Sequence, residues 1–301
     1  MADQGRWILA DASTAGVVRF GWAMPGAARI ESVRTLSSER HPTFTDALLT
    51  YEREEGIPLR GSEFVMAVAA PPAGDAIPIA RSRWTISRSG LAAMFGGAVV
   101  LLNDVAATAW SLIGSGTGRL ESFGGPMPDF TQPGRWAIIL LDDGVNAAAL
   151  DIADNGRCTV IDGEAGHAGF SPSDEREQAL MAQLQRQHAH VSWEAALCAG
   201  WQEPHATADQ RAAWAAMAGS FVGDAALLLG GWSGVILTGR HIAALRDPAH
   251  QQMFVRRMAA KSRYSRFLSA TGRYFLPSRD PLDGGLAVMR ARRAERLSLA
   301  A

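Results

Sequence analysis

The sequence predicts an α/β protein with mixed sheets. Three observations carry that reading. A short apolar strand near the start folds back through a small-residue turn. Apolar strands then alternate with helically spaced segments through the rest of the chain. The chain has 301 residues, 48% hydrophobic and 20% charged, which is enough for a large core or for two domains.

The elements follow in order. WILAD (7–11) is an apolar strand, ASTAG (12–16) a turn and VVRFGW (17–22) a second strand, so the pair reads as a hairpin. TFTDALLTYEREEG (43–56) has helical spacing and stops at Gly56. FVMAVAAP (64–71) is a buried strand ended by Pro71 and Pro72. ISRSGLAAMFG (86–96) reads as helix, AVVLLND (98–104) as a buried strand and AATAWSLIG (106–114) as helix. The Gly- and Pro-rich stretch 114–134 reads as loop or linker. Residues 137–163 give three strands with turns at DDGVN and ADNGR. Helices are expected at 175–188, 206–231, 251–262 and 285–300, with a buried strand at 234–239. No internal repeat or low-complexity tract is visible in the sequence.

Bulk properties exclude several classes. The formal net charge is −1, so nucleic acid and anionic membrane are not expected partners. Lys261 is the only lysine, and positive charge otherwise comes from arginine. Cys158 and Cys198 are the only cysteines and match neither a zinc spacing nor a disulfide framework. The segment MADQGRWILAD lacks the basic and apolar regions of a signal peptide. The apolar runs 225–232 and 137–141 are too short to span a bilayer. The expected location is the cytoplasm.

The candidate chemistry lies in three places. GEAGHAGF (163–170) is a glycine-shaped loop that offers Glu164 and His167; read alone, it serves equally as a binding loop or a solvated turn. Asn103 and Asp104 follow a buried strand, where ligands sit in open α/β sheets, and a carboxylate there can accept a proton from an attacking hydroxyl. Read alone, both suit a helix cap better. Glu194 in HVSWEAAL lies in the first turn of a helix that Ser192 can cap, which is the ordinary place for such a residue.

The arrangement along the chain changes those weights. AVAAPPAGDAIPIARSRWTIS (67–87), LLNDVAATAWSL (101–112), GEAGHAGFSPSDERE (163–177), HVSWEAALCAG (190–200), GGWSGVILTGRHI (230–242) and residues 254–286 occur in the order and at about the spacing of the bacterial glucokinases. The chain therefore resembles that family of the hexokinase–actin superfamily over nearly its whole length. The resemblance implies a two-domain actin-like sugar kinase (ribonuclease H-like) fold with an interdomain cleft. The small domain would be 1–112, completed by the C-terminal helix 284–301, and the large domain 113–283. It implies that Asn103, Asp104, Glu164, His167 and Glu194 converge to hold sugar hydroxyls, with Asp104 as the base for the 6-hydroxyl. A ring of carboxylates, an amide and an imidazole matches hydroxyls that both donate and accept.

The departures fall mainly on the side that would hold the nucleotide. The family's Asp-x-Gly-Gly-Thr-Asn turn is DASTAG here, keeping Asp11 and leaving Ser13 and Thr14 as donors. Its second phosphate loop, Gly-x-Gly-Thr-Gly-Leu-Gly, is LLDDGVNAA (140–148), where only Gly144 remains in the core of the loop and Asp142 and Asp143 would face an anion. Its Ala-Gly-Gly is TGR (238–240), keeping Gly239 and replacing a glycine with Arg240, and Arg81 stands where the family usually has Asn; a divergent active kinase would bind its nucleotide weakly through Asp11, Ser13, Thr14, Gly144, Gly239 and Arg240, with Arg240 pairing to a phosphate. Uncompensated, each carboxylate–phosphate charge pair would cost about 4 kcal/mol at about 4 Å. The implied partners are a hexose, glucose first, and a second copy in a homodimer. The implied cofactor is Mg-ATP if the chain is active, with no tightly bound metal. The alternative is a non-catalytic sugar-binding homologue, and a third reading is a kinase for another sugar or donor.

Overall fold

The small-residue turn folds back as the sequence predicts. In this computed structural model, which describes residues 5–201, 203 and 205–300, β1 (Trp7–Ala12) and β2 (Val17–Ala23) pair antiparallel. Residues 1–4, part of the segment read as lacking a leader, lie outside the described residues. Next come β3 (Glu31–Ser37), α1 (Phe44–Glu55), β4 (Glu63–Val68), the short hairpin β5 (Ala76–Pro78) and β6 (Thr85–Ser87), α2 (Arg88–Phe95), β7 (Val99–Asn103) and α3 (Asp104–Ser115). The sheet order is β3-β2-β1-β4-β7. The first three strands form an antiparallel meander, and β1, β4 and β7 run parallel.

One face of this sheet is aromatic. Phe20 stacks on Tyr51 with centroids 5.1 Å apart, and Phe64 stacks on Phe95 at 4.6 Å. Arg81 has a left-handed φ of 55°. Asn tolerates that conformation better than Arg does, so the backbone suits the residue the family usually has there.

The second unit runs Gly116–Arg279, and the first comprises Met1–Ser115 with Asp280–Ala301. The second holds β8 (Glu121–Gly124), β9 (Gly134–Leu141), β10 (Val145–Ile152), β11 (Cys158–Asp162), α4 (Glu175–Leu184), α5 (Trp193–Leu197), α6 (Ala208–Leu229), β12 (Gly234–Thr238), α7 (Pro248–Ala259), α8 (Ser265–Ala270) and β13 (Arg273–Leu276). Its sheet order is β11-β10-β9-β12-β13-β8. The helix α9 (Pro281–Ala300) closes the chain in the first unit, where Leu282, Leu286 and Met289 pack on Trp7, Leu9 and Val65.

Several expectations change. β8 is a strand inside the Gly/Pro stretch read as loop, and residues 85–87 are strand before Ser87 caps α2. α6 is long and apolar enough to cross a membrane, yet 72% of its most apolar window is buried within the protein, so it is a core helix. A repeat invisible in the sequence exists in topology. In each sheet an antiparallel meander leads from its first strand into two parallel strands, so the turn after β1 and the turn after β9 occupy equivalent places.

Candidate functional site

The start of β10 organises one cluster. Asn146 Nδ2 donates to Glu164 Oε2 at 3.1 Å, while Asn146 Oδ1 accepts from Ala165 N at 3.0 Å and Ala147 N at 2.8 Å. One residue earlier, Val145 N donates to Glu194 Oε2 at 2.9 Å. Two successive residues of one strand thus hold two carboxylates that are thirty residues apart in the chain.

The glycine of the loop explains how it comes so close. A Cβ on Gly166 would collide with the Val145 carbonyl oxygen, so only glycine lets the 3₁₀ turn Ala165–His167 lie on β10. The same turn is tied to α5. Phe170 N donates to Val191 O at 2.9 Å, Trp193 N to Ala168 O at 3.0 Å, and Ser192 caps α5 by accepting from Ala195 N at 3.1 Å. His190 Nε2 donates to the His167 carbonyl at 3.0 Å, fixing that tautomer. Glu194 therefore lies in a capped first turn, as expected, but its carboxylate bonds a strand rather than its own helix.

Arg257 fixes α4 behind this cluster. Its Nη2 lies 2.7 Å from the fully buried Glu177 carboxylate, which also accepts from Ser173 N at 2.7 Å. Burial pushes the Glu177 carboxyl up from its ordinary value, against the pull of Ser173 N and Arg257.

In the first unit, Asn103 ends β7 and Asp104 opens α3, both buried. Asn103 Oδ1 accepts from Val105 N at 2.8 Å, which is the cap that residue type suggests. Asp104 is the first residue of α3, where an acidic side chain complements the helix dipole.

The turn after β1 is closed on itself. Asp11 Oδ1 accepts from Ser13 N at 3.0 Å and Ser13 Oγ at 2.6 Å. Arg19 lies 3.7 Å from Asp11 Oδ2 and forks onto Asp280 at 3.0 and 3.2 Å. Thr14 contributes its carbonyl to Val17 N at 3.4 Å.

The turn after β9, Asp142–Gly144, is held by arginines. Arg240 pairs with Asp143, and its Nε lies 3.6 Å from Asp142 Oδ1. Arg279 Nη2 lies 3.9 Å from Asp142 Oδ2, and Asp142 N donates to Gly144 O at 3.0 Å. Gly239 has φ 100°, and a Cβ there would collide with the Leu141 carbonyl, so the end of β12 is pressed against this turn. Two guanidiniums thus face two carboxylates, and part of the repulsion expected of a bare Asp142–Asp143 pair is offset.

Neither turn fits a phosphate-cradling glycine loop. The Ser13 hydroxyl points its proton at Asp11, and Arg240 is engaged with carboxylates. Among the described residues, no group of three or more His, Cys, Asp or Glu is arranged to hold a metal ion. Sequence reasoning passed over Asn146, His190 and Arg279. Asn146 alone carried a signal, as the one polar side chain in the apolar run VNAAAL.

Comparison with known proteins gives matches along most of the chain. The sequence model of the Glucokinase family matches residues 14–201. A glucokinase of Chromobacterium violaceum is 30% identical over 289 residues, covering 86% of this chain and 82% of that protein. The crystal structure of a glucokinase from an Antarctic psychrotroph superposes with TM-score 0.71 at 21% identity, covering 94% of this chain and 98% of that one. A Balamuthia mandrillaris glucokinase, in complex with glucose, gives TM-score 0.71 at 13% identity, covering 95% and 94%.

Proposed function

Because the chain belongs to the glucokinase family and has the α/β fold of the actin-like sugar kinases, we propose that it is a glucokinase-type phosphotransferase. Asn103, Glu164, His167 and Glu194 bind the hydroxyls of a hexose, glucose first. Asp104 takes the proton of the 6-hydroxyl as that oxygen attacks the donor phosphorus.

The observation that carries this reading is the seating of Glu164 and Glu194 on Asn146 Nδ2 and Val145 N. These two donors are neutral, so neither bond cancels a carboxylate's charge, and a charged acceptor bonds a sugar hydroxyl strongly. ATP as donor, its magnesium arriving with the nucleotide, a cytoplasmic location and a homodimer belong to the same proposal. The two turns do not fit a triphosphate, so no step is assigned to the metal.

The pairing of Arg240 with Asp143 favours a second reading, a hexose-binding homologue with weak or no use of ATP. A coupled assay with Mg-ATP and a hexose panel separates the two. Turnover that falls by about 10²–10⁴-fold in Asp104→Asn, with an unchanged melting point, supports the kinase with Asp104 as base. Near-normal turnover in that variant removes Asp104 from the role.

A further inference from the structure

Beside His167 and Glu194 the second unit contains an open-sided cavity of about 600 Å³, one wall of which is the end of α4 with the residues that follow it. Gln183, Gln187 and His188 line that wall, and Leu184 and Ala195 are also part of the lining. The volume is well inside the range that encloses drug-sized ligands and exceeds what one hexopyranose fills. His167 and Glu194 are part of the lining and Glu164 is not, so the cavity adjoins one side of the proposed hexose groups and has space beyond them.

Resting on the reading of His167 and Glu194 as hexose partners, we propose that this cavity is a second sugar subsite, and that the chain accepts neutral disaccharides whose first ring occupies the hexose site.

Four features select that ligand class. Gln183, Gln187 and His188 make no side-chain hydrogen bond to the described residues, so their amide and imidazole groups are available to hydroxyls that both donate and accept. Leu184 and Ala195 give an apolar surface for the C–H face of a pyranose. No Arg or Lys lines the cavity, while Asp143 and Glu194 do, so a phosphorylated sugar is disfavoured. The wall is also anchored. Buried Glu177 ties the backbone of α4 to Arg257 on α7, and His190 is fastened to the His167 carbonyl, so on binding only the side chains of the wall are left to order.

The test is calorimetric titration of the full chain with glucose, maltose, cellobiose and glucose 1-phosphate. The same titrations are run on Gln183→Ala/Gln187→Ala, whose residues are exposed and outside the hexose groups. Wild type is expected to bind at least one disaccharide as tightly as glucose, and to bind glucose 1-phosphate more weakly than either. The variant should lose about tenfold or more for the disaccharide and keep its glucose affinity within about twofold. Glucose binding without disaccharide binding overturns the subsite and leaves the hexose reading standing. Disaccharide affinity unchanged in the variant also overturns it. Failure to bind glucose or any disaccharide overturns both.

Discussion

The five residues Asp142–Asn146 bring together two pairs of carboxylates that are held in opposite ways. At the strand end, Val145 N and Asn146 Nδ2 grip Glu194 and Glu164 with neutral dipoles. At the turn end, Asp142 and Asp143 face the guanidiniums of Arg240 and Arg279. A neutral donor positions an anion and leaves its charge for a ligand. An arginine positions it and cancels it. The first arrangement suits hydroxyl recognition, and the second fills with side chains a turn that a phosphate-cradling loop would leave as bare glycine backbone. The turn is not locked, however. Arg240 and Asp143 are both about half exposed, and such pairs contribute about 0–1 kcal/mol and weaken with salt.

The largest effect should come from breaking the strand end. Glu194→Gln and Glu164→Gln are each expected to weaken glucose binding by about 10- to 100-fold, since hydrogen bonds to a charged group contribute about 1.5–3 kcal/mol. Nucleotide binding should stay within about twofold. Calorimetry checks both, and an equal loss for both ligands would show that the substitutions disturb the fold rather than the site.

A smaller effect should follow from rebuilding the turn. Replacing Asp142, Asp143 and Arg240 together with glycine is expected to tighten Mg-ATP by about tenfold, roughly the 1.4 kcal/mol that opening a blocked phosphate loop has to supply. The aspartates replaced alone should do less, because Arg240 then loses its partners. If the triple variant binds nucleotide no better than wild type, the turn is not the obstacle.

The smallest effect concerns His241, the neighbour of Arg240. Burial, and next the Arg240 charge, hold its imidazole below the ordinary value. The fold thus prefers the neutral ring, protonation favours the unfolded chain, and this residue costs stability as pH falls below about 6.5. Arg240→Gly should move the His241 midpoint upward in an NMR titration, and an unmoved midpoint would show that burial alone sets it.

The sequence conveyed these two ends unequally. The hairpin β1–β2 and the capped α1 were legible because apolar period and turn residues agree locally. β3 was missed because ESVRTLS is largely exposed and lacks a buried face to show alternation. β8 was missed because its pairing with β13 comes from 150 residues away, against a Gly/Pro composition that argues for loop. At the strand end, the residue types were legible through family order, but the grip of Asn146 was not, because an asparagine in a strand has no local pattern. At the turn end, the loss of glycine was plain, yet the balance of charge depended on Arg240 and Arg279, about a hundred residues or more along the chain. Local chemistry is written in short stretches; neutralisation by a distant partner is not.

In the proposed function the sugar-binding groups are intact while the donor turn is not. Paired calorimetric titrations test it, with glucose alone and with Mg-ATP alone, on wild-type protein at one ionic strength. Measurable glucose binding is expected, with Mg-ATP affinity in the millimolar range or weaker, about −4 kcal/mol or less in magnitude. Micromolar Mg-ATP binding together with brisk phosphorylation of glucose would contradict it.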